Sequence, residues 1–162
     1  MGAGFGGAGR SNNSIDTGSS THHLNNETWI NPVDGIITSR FGDRINPVLN
    51  KKEFHEGIDI GAEKEKKIVA VKSGTVLLVK YSQTYGNILK YEVEDGYVIT
   101  YAHCNEIFVK EGEKIKQGQV IASVGNTGMV TGPHLHYGIS KNGKFIDPMD
   151  YTELPILKEA LE

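Results

Sequence analysis

Short runs of β-branched and aromatic residues, separated by glycine, most limit how this chain can fold. Strands favour these residue types, and each run is too short for a helix of ordinary length. Glu94-Asp95-Gly96 and Lys141-Asn142-Gly143 are typical hairpin turns between antiparallel strands. The pattern predicts an all-β, antiparallel, sandwich-like domain with little helix. The predicted strands are 35–39, 67–71, 74–79, 87–93, 97–103, 119–124 and 134–139.

Composition divides the 162 residues into three parts. Residues 1–28 are mostly Gly, Ala, Ser, Asn and Thr, and we expect a flexible tail or linker, or a segment that orders against an assembly partner. Residues 29–155 are the predicted globular domain. Residues 156–162 are predicted as a short helical tail, and a helical turn is predicted near 105–108. His22 and His23 lie in the first part, where we expect a solvated polar pair and no metal ligands.

Charge and hydropathy exclude several classes of function. The formal net charge is −3 and no block of Lys or Arg stands alone, so we expect no binding to nucleic acid or to an anionic membrane. No apolar stretch approaches the roughly 20 residues that span a bilayer, so we expect no membrane insertion by this chain. We also expect no secretory signal peptide in it, because the start lacks a charged segment followed by an apolar one. The single cysteine, Cys104, rules out an intrachain disulfide.

The pair His134 and His136 is the first candidate for chemistry. Side chains on a strand alternate between its two faces, so these imidazoles share one face and Leu135 points to the other. An isolated pair of this kind is more often two surface histidines, so further residues are needed before it indicates a site.

His55 and Asp59 are the second candidate. Neutral imidazole and carboxylate both bind zinc, at about 2.0–2.2 Å. Gly57, between them, allows backbone freedom that brings both side chains to one point. Alone, this spacing occurs by chance in many chains.

His103 is the remaining histidine outside the first 28 residues. It lies in a predicted strand, on which Tyr101 and His103 share one face and Cys104 points to the other.

Together, four histidines and Asp59 are more specific than any pair of them. Two imidazoles and one carboxylate give three ligands, the number expected when zinc keeps its fourth position for water. Two further imidazoles serve a hydrolytic site, one for proton transfer and one to stabilise developing charge. The residues predict a zinc site with hydrolytic chemistry.

Further motifs surround these residues along the chain. They are Ser39-Arg40-Phe41-Gly42-Asp43-Arg44, His55-Glu56-Gly57-Ile58-Asp59-Ile60, Tyr101-Ala102-His103, Gly112 through Gly118-Gln119, Gly125-Asn126-Thr127-Gly128, Thr131-Gly132-Pro133-His134-Leu135-His136 and Asp147-Pro148. With these motifs the chain resembles the lysostaphin-type, or LytM-like, zinc endopeptidases of peptidoglycan, from residue 29 to about residue 151.

The resemblance implies roles for the five residues. His55, Asp59 and His136 would hold one Zn²⁺ per chain, and His103 and His134 would be the catalytic pair. One of that pair would take the proton of the attacking water and the other would bind the oxyanion, in an order that the sequence does not fix. The implied substrate is peptidoglycan, and the implied location is the cell wall, the extracellular face or the periplasm, with a phage tail or virion as a further setting.

The chain departs from the family pattern in one loop. Some relatives carry a tyrosine before the first zinc ligand as an additional oxyanion donor, and residues 44–54 contain none. We expect Arg44, Asn46 and Tyr85 near the groove. Neither 44–54 nor 80–87 has a composition that selects a cross-bridge or a stem peptide as substrate.

Three alternatives remain open from the sequence. The first is a zinc-binding but catalytically silent scaffold in an envelope, sporulation or phage-tail assembly. The second is a lipoyl- or biotinyl-carrier-like module, suggested by the hairpin rhythm of 109–119, although no lysine has the expected signature. The third is a cysteine peptidase that uses Cys104, which the predicted direction of its side chain disfavours.

Overall fold

The computed structural model describes residues 27–161. The described part of the chain is built almost wholly from short strands. They are β1 (Ile36–Ser39), β2 (Gly42–Ile45), β3 (Lys52–His55), β4 (Ile58–Gly61), β5 (Lys67–Val69), β6 (Gly74–Ser82), β7 (Gly86–Glu92), β8 (Tyr97–Cys104), β9 (Lys114–Ile115), β10 (Val120–Ser123), β11 (His134–Lys141) and β12 (Lys144–Ile146).

One eight-stranded sheet forms the centre of the domain. Its strands run in the order β1-β4-β11-β8-β7-β6-β9, and β12 pairs with β11. Two smaller pairs, β5 with β10 and β2 with β3, lie outside it. Every strand pair within these sheets is antiparallel, which confirms the predicted fold class.

All seven predicted runs contain a strand, and both predicted turns are hairpins, from β7 to β8 and from β11 to β12. Asn142 and Gly143 have φ of 51° and 86°, the left-handed conformation that tight hairpin turns require. Strands β2, β3, β4, β9 and β12 were not predicted. Each is two to four residues long, too short for a clear alternation of apolar and polar residues.

Alternation within the central strands separates the core from the site. On β11, Leu135, Tyr137 and Ile139 are fully buried in the core. On β4, Ile58 and Ile60 enter the same core, and Asp59 between them points to the other face. The hydrophobic side of these two strands therefore fixes the direction of their polar residues.

Helix is limited to short 3₁₀ turns among the described residues, at Glu94–Gly96, Pro148–Tyr151 and Lys158–Leu161. The predicted helical turn at 105–108 is wrong, because Ile107 there forms a β-bridge with Ala122. Within 156–161, only the last of these turns is helical, and Ile156 forms a parallel bridge with Ile37. Apart from Glu27 and Thr28, the predicted tail lies outside the described residues, as do His22 and His23. Within the described part, no helix has the length and apolar character needed to cross a membrane.

Candidate metal centre and groove

Asp59 is held at the middle of the site by two neighbouring strands. It pairs with Ser39 of β1 on one side and with His136 of β11 on the other. Ile58 and Ile60 anchor β4 in the core on the opposite face. The carboxylate therefore projects from a strand that is paired on both sides and anchored in the core.

His136 and His134 project from the same face of β11, as the sequence predicted. His136 Nδ1 is 3.4 Å from Asp59 Oδ1, and His134 Nε2 is 3.7 Å from the same oxygen. Leu135 between them is fully buried in the core, which confirms the predicted alternation.

His55 reaches the site from the end of β3. Its Nδ1 lies 3.0 Å from the carbonyl oxygen of Arg40. Because a carbonyl only accepts hydrogen bonds, Nδ1 carries the proton and Nε2 presents a lone pair. That Nε2 atom is 3.2 Å from Asp59 Oδ1 and 3.2 Å from His136 Nδ1.

Gly57 acts through its missing side chain. The predicted backbone freedom does not take the form of a positive φ. A Cβ atom at this position would lie 2.4 Å from the carbonyl oxygen of Tyr137 and 2.9 Å from His136 Cε1. The missing side chain lets the turn after His55 pack directly on β11.

The donor atoms of His55, Asp59 and His136 form a triangle with sides of 3.2, 3.2 and 3.4 Å. Ligand atoms bound at about 2.0–2.2 Å around a tetrahedral ion lie about 3.3–3.6 Å apart. All three residues are buried. Two imidazole nitrogens and one carboxylate oxygen with this spacing fit a zinc ion.

The electrostatics of Asp59 and His136 favour the protonation states that metal ligands need. Burial raises the pKa of Asp59, but the contacts of its carboxylate with His136 and His55 outweigh burial and hold that pKa well below its usual range. Burial is the main cause that lowers the pKa of His136, against the opposing effect of Asp59. Asp59 is therefore a carboxylate and His136 a neutral imidazole at neutral pH, ready to bind metal.

His103 enters the site through an irregularity in β8. The pairing of β7 with β8 shifts between Asn87 and Leu89, and His103 has a φ of 62°. The prediction that Tyr101 and His103 share a face is wrong. Tyr101 lies in the core, where its hydroxyl donates to the carbonyl oxygen of Val69 over 2.7 Å. The irregularity breaks the alternation and turns His103 toward the site.

His103 and His134 form a matched pair, with ring centroids 5.0 Å apart. His103 Nδ1 is 2.7 Å from the carbonyl oxygen of Thr127, and His134 Nδ1 is 3.0 Å from that of Gly132. Each Nδ1–H therefore donates a hydrogen bond to a carbonyl oxygen, which selects the tautomer whose Nε2 carries the lone pair. Burial lowers the pKa of His103 to about 4, so this ring is neutral at neutral pH.

A groove of about 480 Å³ passes over these residues. Its lining includes four exposed large side chains, those of Ile45, Leu49, Phe54 and Tyr85. Ring centroids of Tyr85 and His136 are 6.1 Å apart. Arg44, Asn46 and Tyr85 all line the groove, which confirms the expectation that they lie near it.

The contacts of Arg44 were missed by the sequence interpretation. Its guanidinium donates to Asp59 Oδ2 over 2.9 Å and to Glu53 Oε2 over 2.7 Å. The only sequence signal was that Arg44 ends the motif that begins at Ser39.

Cys104 is excluded as a nucleophile for this site. It follows His103 in the chain but is fully buried in the core, as its predicted direction implied. Burial raises the pKa of its thiol to about 12. The thiol is neither exposed nor ionised, so the cysteine peptidase alternative is wrong.

Comparison with known proteins agrees with this geometry. Residues 53–148 match the profile of Peptidase family M23. Over 120 residues the chain is 38% identical to "Peptidoglycan DD-endopeptidase ShyC" of Vibrio cholerae, covering 74% of this chain and 28% of that protein. The chain spans about a third or less of the length of the curated relatives it matches.

Solved structures of peptidases share this fold. A zinc containing peptidase from Vibrio cholerae superimposes with a TM-score of 0.71 and 34% identity, over 80% of this chain and 41% of that chain. The catalytic domain of the antimicrobial peptidase lysostaphin from Staphylococcus simulans superimposes with a TM-score of 0.62 and 28% identity, over 69% of this chain and 87% of that chain.

Proposed function

Because the chain belongs to Peptidase family M23, we propose that it is a zinc-dependent endopeptidase that hydrolyses peptide bonds of bacterial peptidoglycan. The observation that carries the proposal is the triangle of donor atoms from His55, Asp59 and His136. The name of the Vibrio cholerae relative, a peptidoglycan DD-endopeptidase, supports the substrate class. The bond lies in the cross-bridge or in the stem peptide.

His55, Asp59 and His136 would hold the ion, one per chain. Bound zinc supplies a Lewis acid that polarises a carbonyl and lowers the pKa of water toward about 7. The buried carboxylate of Asp59 supplies the negative charge, and the two imidazoles supply neutral nitrogen donors. Three protein ligands leave a position for water or substrate, as catalytic zinc sites require.

His103 and His134 would handle the proton. Both rings direct Nδ1–H to a carbonyl oxygen, so either Nε2 accepts the proton of the attacking water. The imidazolium that results then donates to the carbonyl oxygen, where negative charge develops, or to the leaving amine. The other histidine of the pair lies close enough to act with the first, since 5.0 Å separates the two ring centroids.

The groove would bind the peptide on either side of the scissile bond. Its exposed apolar residues, Ile45, Leu49 and Phe54, give contact area without ionic pairing. Tyr85 lies beside His103, with ring centroids 6.3 Å apart, and would supply the hydroxyl that the 44–54 loop lacks. We place the activity at the cell wall, on the extracellular face or in the periplasm, because that is where this substrate lies.

We propose 29–155 as the catalytic domain and 1–28 as a linker or partner-binding segment. Limited proteolysis tests this division. We expect stable fragments that begin close to residue 29, and early cleavage within 29–155 would contradict it.

Mass spectrometry of digested peptidoglycan tests the activity. We expect the wild-type chain to release peptides that identify the cleaved bond, and His134→Ala to release none. Tyr81→Ala is the control, because Tyr81 is 62% exposed and does not line the groove. If the wild type, like His134→Ala, releases no peptides, the result would support the silent scaffold. An intact mass without an added lipoyl or biotinyl group would exclude the carrier module.

A further inference from the structure

Arg44 connects two separate parts of the structure at the metal centre. It lies on β2, directly opposite Glu53 of β3. The β2–β3 pair is not hydrogen-bonded into the central sheet, yet β3 ends at the ligand His55. The side chain of Arg44 extends from this pair to β1 and β4 of the central sheet.

Three directed contacts hold the guanidinium in place. Arg44 Nε donates to Glu53 Oε2 over 2.7 Å, and Nη1 donates to Ser39 Oγ over 3.0 Å and to Asp59 Oδ2 over 2.9 Å. Asn46 Nδ2 donates to the other oxygen of Glu53 over 2.9 Å. The arginine side chain is only 19% exposed, so its geometry is set by these partners.

The two oxygens of Asp59 consequently have different partners. Oδ1 faces the histidines, 3.2 Å from His55 Nε2 and 3.4 Å from His136 Nδ1. Oδ2 accepts the hydrogen bond from Arg44. The carboxylate is thereby oriented with one oxygen directed to the metal position and the other engaged by a cation.

We propose that Arg44 is a positioning residue that orients Asp59 for metal binding through a single oxygen and docks the β2–β3 pair, with its ligand His55, against the central sheet. The inference rests on the proposed metal site, but not on the identity of the substrate. Without the guanidinium, Oδ2 has no described partner, and the carboxylate is free to rotate away from the orientation that the histidines require.

The test is the affinity of the full chain for zinc, measured by competition with a chelator of known affinity at a temperature where each protein is folded. We expect Arg44→Gln to bind zinc about 10- to 100-fold more weakly than wild type, the usual cost of losing a residue that orients a ligand. Lys52→Gln is the matched control. It removes one positive charge from an exposed side chain of the same β2–β3 pair with no described ion pair, and we expect wild-type affinity.

Two further variants keep the test decisive if Arg44→Gln does not fold. Arg44→Lys retains the charge but not the planar fork, and we expect an affinity between those of wild type and Arg44→Gln. Glu53→Gln weakens the interaction that holds the guanidinium and leaves Asp59 unchanged. We therefore expect a smaller loss of zinc affinity than for Arg44→Gln.

The thermal midpoint of the metal-free proteins separates positioning from general stability. A purely structural role would lower the metal-free midpoint and leave the zinc affinity of the folded chain unchanged, which would overturn the proposal. Equal losses for Arg44→Gln and Lys52→Gln would also overturn it, since they would indicate an unspecific charge effect. A wild-type chain that takes up no zinc would instead refute the proposed function.

Discussion

His136 lies directly opposite Asp59 in the antiparallel pair of β11 and β4, and its Nδ1 is 3.4 Å from Oδ1 of the carboxylate. Both residues belong to strands whose other face is buried in the core. A shift of this pairing by one residue would exchange core and site side chains, so the register is strongly specified. Two of the proposed ligands are therefore placed by the fold itself.

Metal content should separate ligands from catalytic residues. We expect one zinc per wild-type chain and severe loss of zinc from Asp59→Asn and His136→Ala, since each removes a donor from the triangle. His134→Ala should retain zinc, because its Nε2 is 3.7 Å from Asp59 Oδ1 and outside the triangle. Elemental analysis after gentle purification measures this. Zinc in Asp59→Asn at the wild-type level would contradict the assignment.

Gly57→Ala should damage the site through packing. Its Cβ would lie 2.9 Å from Cε1 of His136 and 2.4 Å from the carbonyl oxygen of Tyr137, so β11 or the ligand must move. We expect a loss of about 1–3 kcal/mol in the free energy of unfolding, together with weaker zinc binding. Gly132→Ala is the control, because a Cβ there meets no atom within 4 Å. Denaturant unfolding and zinc titration of both variants give the comparison.

The proposed catalytic role of His103 is best tested with His103→Asn. The native φ of 62° is tolerated by asparagine better than by most residues, so this change removes the imidazole with little added backbone strain. We expect a fall of about 10²–10⁴-fold in the hydrolysis rate, as for loss of a general acid or base, with zinc content retained. Wild-type hydrolysis by a zinc-loaded His103→Asn protein would exclude this role.

Acid should destabilise the metal-free chain through His103. Burial, the largest cause, lowers its pKa from 6.5 to about 4 in the folded state. Between these two values the unfolded chain binds more protons than the folded chain, so the free energy of unfolding falls as the pH falls. We expect wild type to lose stability relative to His103→Asn from about pH 6.5 to about pH 4, in chelator. Parallel stability curves for the two proteins would contradict this.

Cys104 should be inert in the folded protein. Burial raises the pKa of its thiol to about 12, so at pH 8 the group is protonated and inaccessible. We expect no alkylation by iodoacetamide until denaturant unfolds the chain, followed by one addition per chain. Cys104→Ser should keep its hydrolytic activity, whereas a chelator should abolish it. Rapid alkylation of the folded protein would show that the thiol is exposed.

The sequence predicted the elements whose residues alternate clearly. The runs that became β6, β7, β8 and β11 are long enough to show strand residues between glycine-containing turns. The shared face of His134 and His136 followed from the same alternation, because Leu135 between them belongs to the core. These predictions depend only on local pattern, and the structure confirms them.

The rest depends on contacts between distant residues. The break in alternation at His103 comes from the pairing of β8 with β7. No residue type in Tyr101-Ala102-His103 indicates it. The strands β2 and β3 are mostly polar or exposed, so they carry little hydrophobic signal. The contact of Arg44 with Asp59 spans 15 positions and three strands, and it exists only once the fold is complete.

Three of the site histidines are anchored by main-chain carbonyl oxygens, those of Arg40, Thr127 and Gly132. Every amino acid carries this acceptor, so replacing a side chain at these three positions does not by itself delete an anchor. The orientation of the rings therefore depends on the path of the backbone at these three positions. It depends little on which side chains stand there. Engineering of the groove can therefore vary the Arg40 side chain freely, whereas an insertion or deletion beside any of the three carbonyls would misalign an imidazole.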